Sequence, residues 1–206
     1  MIRTLQTAIR AFGPALKNGK TSGTILAIAH LQETSDFPCD IGTDTKELRH
    51  IVQSEGCPVD LQLVEDGWNI KGSQSRYASS LEMLKARAKD ARDFLRGQGE
   101  ELIKGDEDVH IIFVSHGSSL RFLTDDWEDC DNIPGTSWIN CEMRSYHFQD
   151  RKSNGEGPGT NDVMLIETDE SRQRRGKRHP MYPPEQQELL CEISMKTWVA
   201  NGVASQ

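Results

Sequence analysis

The sequence predicts an α/β fold with a parallel sheet, and three observations carry that expectation. Two apolar runs of strand length, 24–30 (TILAIAH) and 109–115 (VHIIFVS), are rich in aliphatic residues, as strands buried on both faces are. Between them, Tyr77, Leu81, Leu84, Ala88, Ala91 and Leu95 recur at helical spacing. Strand, helix and strand in alternation imply helices layered on a sheet, with the carboxyl ends of both apolar runs on one edge.

Along the chain, Leu5, Ala8, Ile9, Phe12 and Leu16 predict an amphipathic helix over 3–17 that begins almost at Met1, and 19–23 reads as a turn. The run 24–30 ends in Leu31-Gln32-Glu33. The stretch 39–43 reads as a loop whose Thr43 caps a short helix, followed by a polar loop to about Ser75. Gly97 is placed to end the helix over 77–96. After 109–115 comes His116-Gly117-Ser118-Ser119, opening a further helix. Two more strands are predicted over 142–148 and 163–166, separated by a Gly-rich loop over 152–160. The basic stretch 172–179 reads as exposed, and 185–199 as a terminal helix. With 206 residues this is one domain, its core over about 1–170 and a basic loop and terminal helix over 171–206.

Composition narrows the function. A net charge of −8 and a pI near 5.3 argue against a general nucleic-acid binder, which needs a basic face. Five cysteines with no CxxC pair suggest neither a disulfide framework nor a zinc site, and fit a reducing, cytoplasmic setting. No metal or cofactor is implied. No run reaches the roughly 20 apolar residues of a membrane span, and no secretory leader is evident.

The chemistry-bearing residues cluster at the predicted strand ends. His116 would sit where a helix N-terminus offers backbone N–H groups to an anion, with Gly117 removing bulk and Ser118 capping or donating to phosphate oxygens. A lone Ser-His-Gly is more often a satisfied strand end. Glu33 can serve as a general acid if its surroundings raise its pKa, although most such glutamates are simply solvated. Arg3 can clamp a phosphate with two hydrogen bonds, or be a surface charge.

Taken together and in order, these segments resemble the histidine phosphatase (phosphoglycerate mutase-like) superfamily. Residues 1–8 (MIRTLQTA) resemble the back half of its SPLxRTxQTA motif, 31–33 its strand-end acid, 39–42 a loop of its fungal-type phosphatase-like branch, and 115–118 (SHGS) the motif of its second histidine. The stretches 123–127 and 140–146 are similar to later parts of that branch. The resemblance implies a three-layer, mostly parallel sheet, with Arg3, His116 and Ser118 holding phosphate and Glu33 and His116 acting in catalysis. It also implies a phosphorylated small molecule or phosphoprotein as partner. That family opens on a strand ending in Arg-His-Gly, whose histidine takes up the phosphoryl group, and no such segment precedes Met1. The chain therefore reads as N-terminally shortened, lacking the sheet's first strands and without a nucleophile, because Arg49-His50 lies mid-helix and Arg178-His179 precedes a proline. Three readings stay open: a shortened phosphatase relative with little turnover, a non-catalytic phosphate-binding or interaction protein docking through 172–178, and a structural remnant.

Overall fold

The structure is a computed structural model that describes residues 2–18, 23–105, 108–130, 138–150 and 163–200. The turn predicted over 19–23 and the Gly-rich loop over 152–160 lie mostly or wholly outside these residues. Among the described residues there are six helices and two separate two-stranded sheets. Helix α1 (Ile2–Lys17) leads into β1 (Ile25–Leu26), α2 (Thr45–Ser54) and β2 (Val59–Asp60). The long α3 (Leu81–Leu102) and α4 (Gly117–Thr124) precede β3 (Tyr146–Asp150) and β4 (Val163–Glu167), and α5 (Asp169–Arg174) and α6 (Pro184–Ala200) close the chain.

The expected three-layer, mostly parallel sheet is not present. Strand β1 pairs in parallel with β2 over two residues, Ile25 with Val59 and Leu26 with Asp60, while β3 and β4 form an antiparallel pair from Tyr146–Glu167 to Asp150–Val163. The run 109–115 is not a strand and enters neither sheet. Its side chains alternate instead: Ile111 and Phe113 pack inward, whereas Ile112 is 60% exposed. Apolarity reports a tendency to be buried, but a strand also needs a neighbour about 4.8 Å away to receive its N–H and C=O groups. The two apolar runs do meet at their carboxyl ends, through a side chain: Ser115 Oγ donates to the Leu31 carbonyl at 2.7 Å.

Other boundaries differ for local reasons. Asp44, not Thr43, caps α2, its carboxylate accepting from the N–H groups of Lys46 and Glu47 at 3.0 Å. Helix α3 starts after the Ser80 cap and runs through Gly97 to Leu102. Gly105, beyond the helix end, takes a φ of 68° that suits glycine. Strand β2 lies within what the sequence suggests is a polar loop.

Helix α3 holds the molecule together because its faces serve two cores. Leu84 and Ala88 pack with Phe122, Trp127, Cys191, Met195 and Trp198, while Ala91 and Leu95 pack with Leu31, Leu123 and Leu165. A third core joins Ala27, Ala29, Leu48, Val64, Trp68 and Tyr77, against which Ile2 and Leu5 of α1 pack. Within it, Trp68 is 1% exposed and its ring lies directly over the Gly42 backbone, so a Cβ at 42 would overlap the ring atoms. Gly42→Ala is expected to destabilise the protein by about 1–3 kcal/mol, the usual cost of overpacking, whereas Gly72→Ala, with open space around it, is expected to be nearly neutral. Urea midpoints check this, and equal midpoints for the two variants would refute the contact.

The basic stretch is also unlike its expectation. Arg172 is 2% exposed and the side chains of Arg175 and Lys177 are largely covered, all three paired with acids. Three of the five cations over 172–178 are thus neutralised from within, while Arg174 and Arg178 stay exposed. Among the described residues, no helix is long and apolar enough to cross a membrane.

Candidate functional site

The site is built around the loop that follows β1. From Leu31 to Gly42 the chain has no ladder to hold it, and side chains from elsewhere do so. Gln32 Nε2 donates to the Trp68 carbonyl at 2.6 Å, Asn69 Nδ2 to the Gly42 carbonyl at 2.9 Å, and Ser119 Oγ to the Gln32 carbonyl. Lys71 is the central strut. Its ammonium donates to the carbonyls of Glu33 at 2.7 Å, Asp40 at 3.0 Å and Ser35, using all three protons to close the loop on itself. Burial lowers the Lys71 pKa to about 8, opposed by the charges of Glu33 and Asp40.

Glu33 and His116 face each other across this loop, with Glu33 Oε2 3.5 Å from His116 Nδ1 and the side chains 15% and 9% exposed. Glu33 Oε1 accepts the N–H of Thr34 at 2.9 Å. Burial raises the Glu33 pKa, only partly offset by that hydrogen bond, and burial pushes His116 down to about 4, helped by the charge of Arg3. Both shifts favour the uncharged form, so at neutral pH His116 is a neutral imidazole.

His116 is also the N-cap of α4, and its side chain makes no capping bond. The first backbone bond of the helix runs from Leu120 N–H to the His116 carbonyl at 2.9 Å, so the N–H groups of Gly117 and Ser118 have no acceptor within the helix. The positive end of the helix dipole and these donors lie beside the imidazole. Ser118 is the second residue of α4 and half-buried.

Arg3 comes from the first turn of α1, with its side chain 65% exposed. Its guanidinium lies 3.3 Å from the Cys39 carbonyl and 3.5 Å from Asp40 Oδ1, while Asp40 Oδ2 accepts from Ser35 Oγ at 2.6 Å. Its charge acts on both Glu33 and His116. The structure thus puts Glu33 and His116 in contact and Arg3 on the far side of the same loop, near enough to bias both. His50 lies on the exposed side of α2, and His179 stacks on Tyr182 at a centroid distance of 5.0 Å.

Lys71 and Ser35, which brace this loop, were missed by sequence reasoning because they sit in loops with no periodicity to mark them, whereas Asp40 lies in the stretch 39–42 that it singled out. Among the described residues, no three His, Cys, Asp or Glu side chains gather as a metal site. No protein-family model matches the chain, and no curated protein or solved structure matches it.

Proposed function

We propose that the pocket formed by His116, Glu33, Arg3 and the N-terminus of α4 captures the phosphoryl group of a small phosphorylated molecule or a phosphoprotein side chain, in the manner of the histidine phosphatases that the sequence resembles. The observation that carries this reading is the buried Glu33–His116 pair at a helix N-terminus whose first donors have no acceptor within the helix. A helix start supplies N–H groups and partial positive charge, a neutral imidazole supplies a directional donor, and a mobile exposed guanidinium adds charge from outside. A glutamate whose pKa burial raises is a suitable proton donor for a leaving oxygen.

Covalent transfer in that family also needs a nucleophilic histidine, and neither His50 nor His179 faces this pocket's loop. The reading is therefore capture without rapid turnover: hydrogen-bond donors stabilise charge but do not replace a nucleophile. Phenyl phosphate is expected to bind without measurable release of phosphate.

Anion binding is tested with sulfate, which stays a dianion throughout. A dianion favours protonated Glu33 and a protonated or donating His116, so binding takes up protons. Affinity is expected to rise about tenfold as pH falls from about 8 to about 5. Glu33→Gln removes a negative charge while keeping the shape. It is expected to bind sulfate more tightly at pH 8 and to show a flatter profile, whereas His116→Ala and Arg3→Ala each weaken binding about three- to tenfold. Calorimetry in a gluconate background reads all four proteins. Unchanged affinity in both His116→Ala and Arg3→Ala would sink the assignment.

A further inference from the structure

A second cation lies beneath the same loop. Arg87 is on α3 and only 3% exposed, and among the described residues its Nε and Nη1 donors have no acceptor. Among the described residues, no carboxylate lies within ion-pair distance of it. Its guanidinium lines a cavity of about 10 Å³ shared with the polar side chains of His30, Thr34 and Ser119 and the apolar walls of Leu84 and Phe122, and no lining residue is acidic. Ser119 Oγ is committed to the Gln32 carbonyl and His30 Nε2 to Arg76, at 3.0 Å for the latter.

A buried guanidinium without a counter-charge is strongly disfavoured, and proteins pair such groups or neutralise them. Burial lowers Arg87 to about 10, which still leaves it charged at neutral pH. The acid that acts on it, Glu33, does so only at a distance, and Tyr77 is a neutral phenol there. Water would satisfy the N–H donors but leave the charge. The cavity is small and walled by both polar and apolar side chains. A weakly hydrated monatomic anion meets all of these demands at once: one negative charge, several acceptor directions and tolerance of the apolar walls.

We propose that the Arg87 cavity is a halide site, occupied by chloride under ordinary conditions, and that it is distinct from the phosphate pocket above. Bound halide neutralises Arg87 under the loop that carries Glu33 and so stabilises the folded chain. The test is thermal unfolding of the 206-residue protein in sodium chloride and sodium bromide against sodium gluconate at equal ionic strength. The expected result is a saturable rise in Tm of a few degrees with either halide and none with gluconate, lost in Arg87→Met, whose apolar side chain removes the demand for a counter-ion. Equal melting in halide and gluconate, or a halide effect that persists in Arg87→Met, overturns the proposal. Should Arg87→Met fail to fold, bromide-soaked crystals of the unaltered protein decide it: an anomalous peak beside Arg87 Nη1 supports the site, and its absence there removes it. The sulfate assignment is read through His116→Ala and Arg3→Ala and the halide effect through Arg87→Met, so failure of either test leaves the other standing.

Discussion

Arg172→Ala is expected to destabilise the protein by about 3–5 kcal/mol, the cost of leaving buried acids without their cation, and to lower Tm by roughly 10 °C. The side chain spends its donors completely. Nη2 lies 3.0 and 3.1 Å from the two oxygens of Glu128, Nη1 is 3.4 Å from Glu167 Oε2, and Nε donates to the His179 carbonyl at 2.8 Å. Around it, Arg175 grips Glu167 at 2.7 and 3.0 Å, Arg144 bridges Asp126 at 3.1 Å and Glu142 at 2.8 Å, and Lys177 reaches Asp129 at 2.7 Å. These contacts tie the turn after α4 to β4, α5 and the approach to α6. The triple variant Arg172→Met, Glu128→Gln, Glu167→Gln is expected to recover most of the loss, because neutral partners no longer need a counter-charge. A triple variant as unstable as Arg172→Ala would mean that packing, not charge, sets the cost.

Three acids of the same network contribute a pH dependence of one sign, opposed by Asp126, whose pKa burial raises. Burial pushes the Glu128 carboxyl up, but its hydrogen bond to Arg172 outweighs this and holds it below the usual range; Glu142 is likewise held down by Arg144, and Asp129 by Lys177, against the opposing effect of burial. Acids with a depressed folded pKa contribute stability that is present above their unfolded values, near 4 to 4.5, and is lost as pH falls through the folded values. Arg172→Ala is therefore expected to flatten the acid limb of stability between about pH 5 and about pH 2 as well as lower the plateau.

How much of this was legible beforehand depends on what kind of signal each element leaves. Helices α1 and α3 announce themselves because their apolar residues repeat every three or four positions, although the Ser80 cap and the Leu102 end of α3 were not read from the sequence. Strands β3 and β4 were legible within a few residues. The sheet was not, since the runs 24–30 and 109–115 look alike in sequence to paired strands, and pairing is decided by distant backbone that composition does not encode. In the site, Glu33 and His116 stood out because each follows an apolar run, although Ser115 and Ser119 bonds to the Leu31 and Gln32 carbonyls, not a shared sheet, join the two segments. Lys71 left no such trace. Arg87 did: it sits three residues after Leu84 and four before Ala91, on the buried face of α3, where a charge has no reason to be unless something meets it. Arg172 was misjudged because its partner acids, Glu128 and Glu167, come from separate stretches of chain, and a basic cluster viewed alone looks solvated.

Helix α6 was predicted by length more than by pattern, and that bears on how it is held. Its inward face is mixed, with Gln187, Cys191, Ser194, Met195 and Trp198 buried. What it docks against is an aromatic trio: Trp127 meets Phe122 edge-on at 5.0 Å and Trp198 at 6.2 Å, and Arg121 lies over the Trp198 ring at 5.8 Å. Trp127 is 1% exposed and fixed at both ends, its indole N–H donating to Asp125 at 3.0 Å and its backbone N–H to Gln187 Oε1 of α6 at 2.7 Å. Asp125 adopts a left-handed φ of 50° to bring the turn round. Trp127→Ala is thus expected to cost about 3–5 kcal/mol, removing the indole that packs among Leu84, Phe122, Met195 and Trp198 and leaving a cavity there. Because α6 is the terminal described element and leans on this contact, the loss is expected to be uneven. Hydrogen exchange should speed up by an order of magnitude or more in α6, while α2 and the Trp68 core change far less. Trp127→Phe keeps the edge-on geometry and is expected to lose about half as much. Uniform acceleration across α2 and α6 would show instead that the three cores unfold as one cooperative unit and that Trp127 stabilises the whole rather than its own seam.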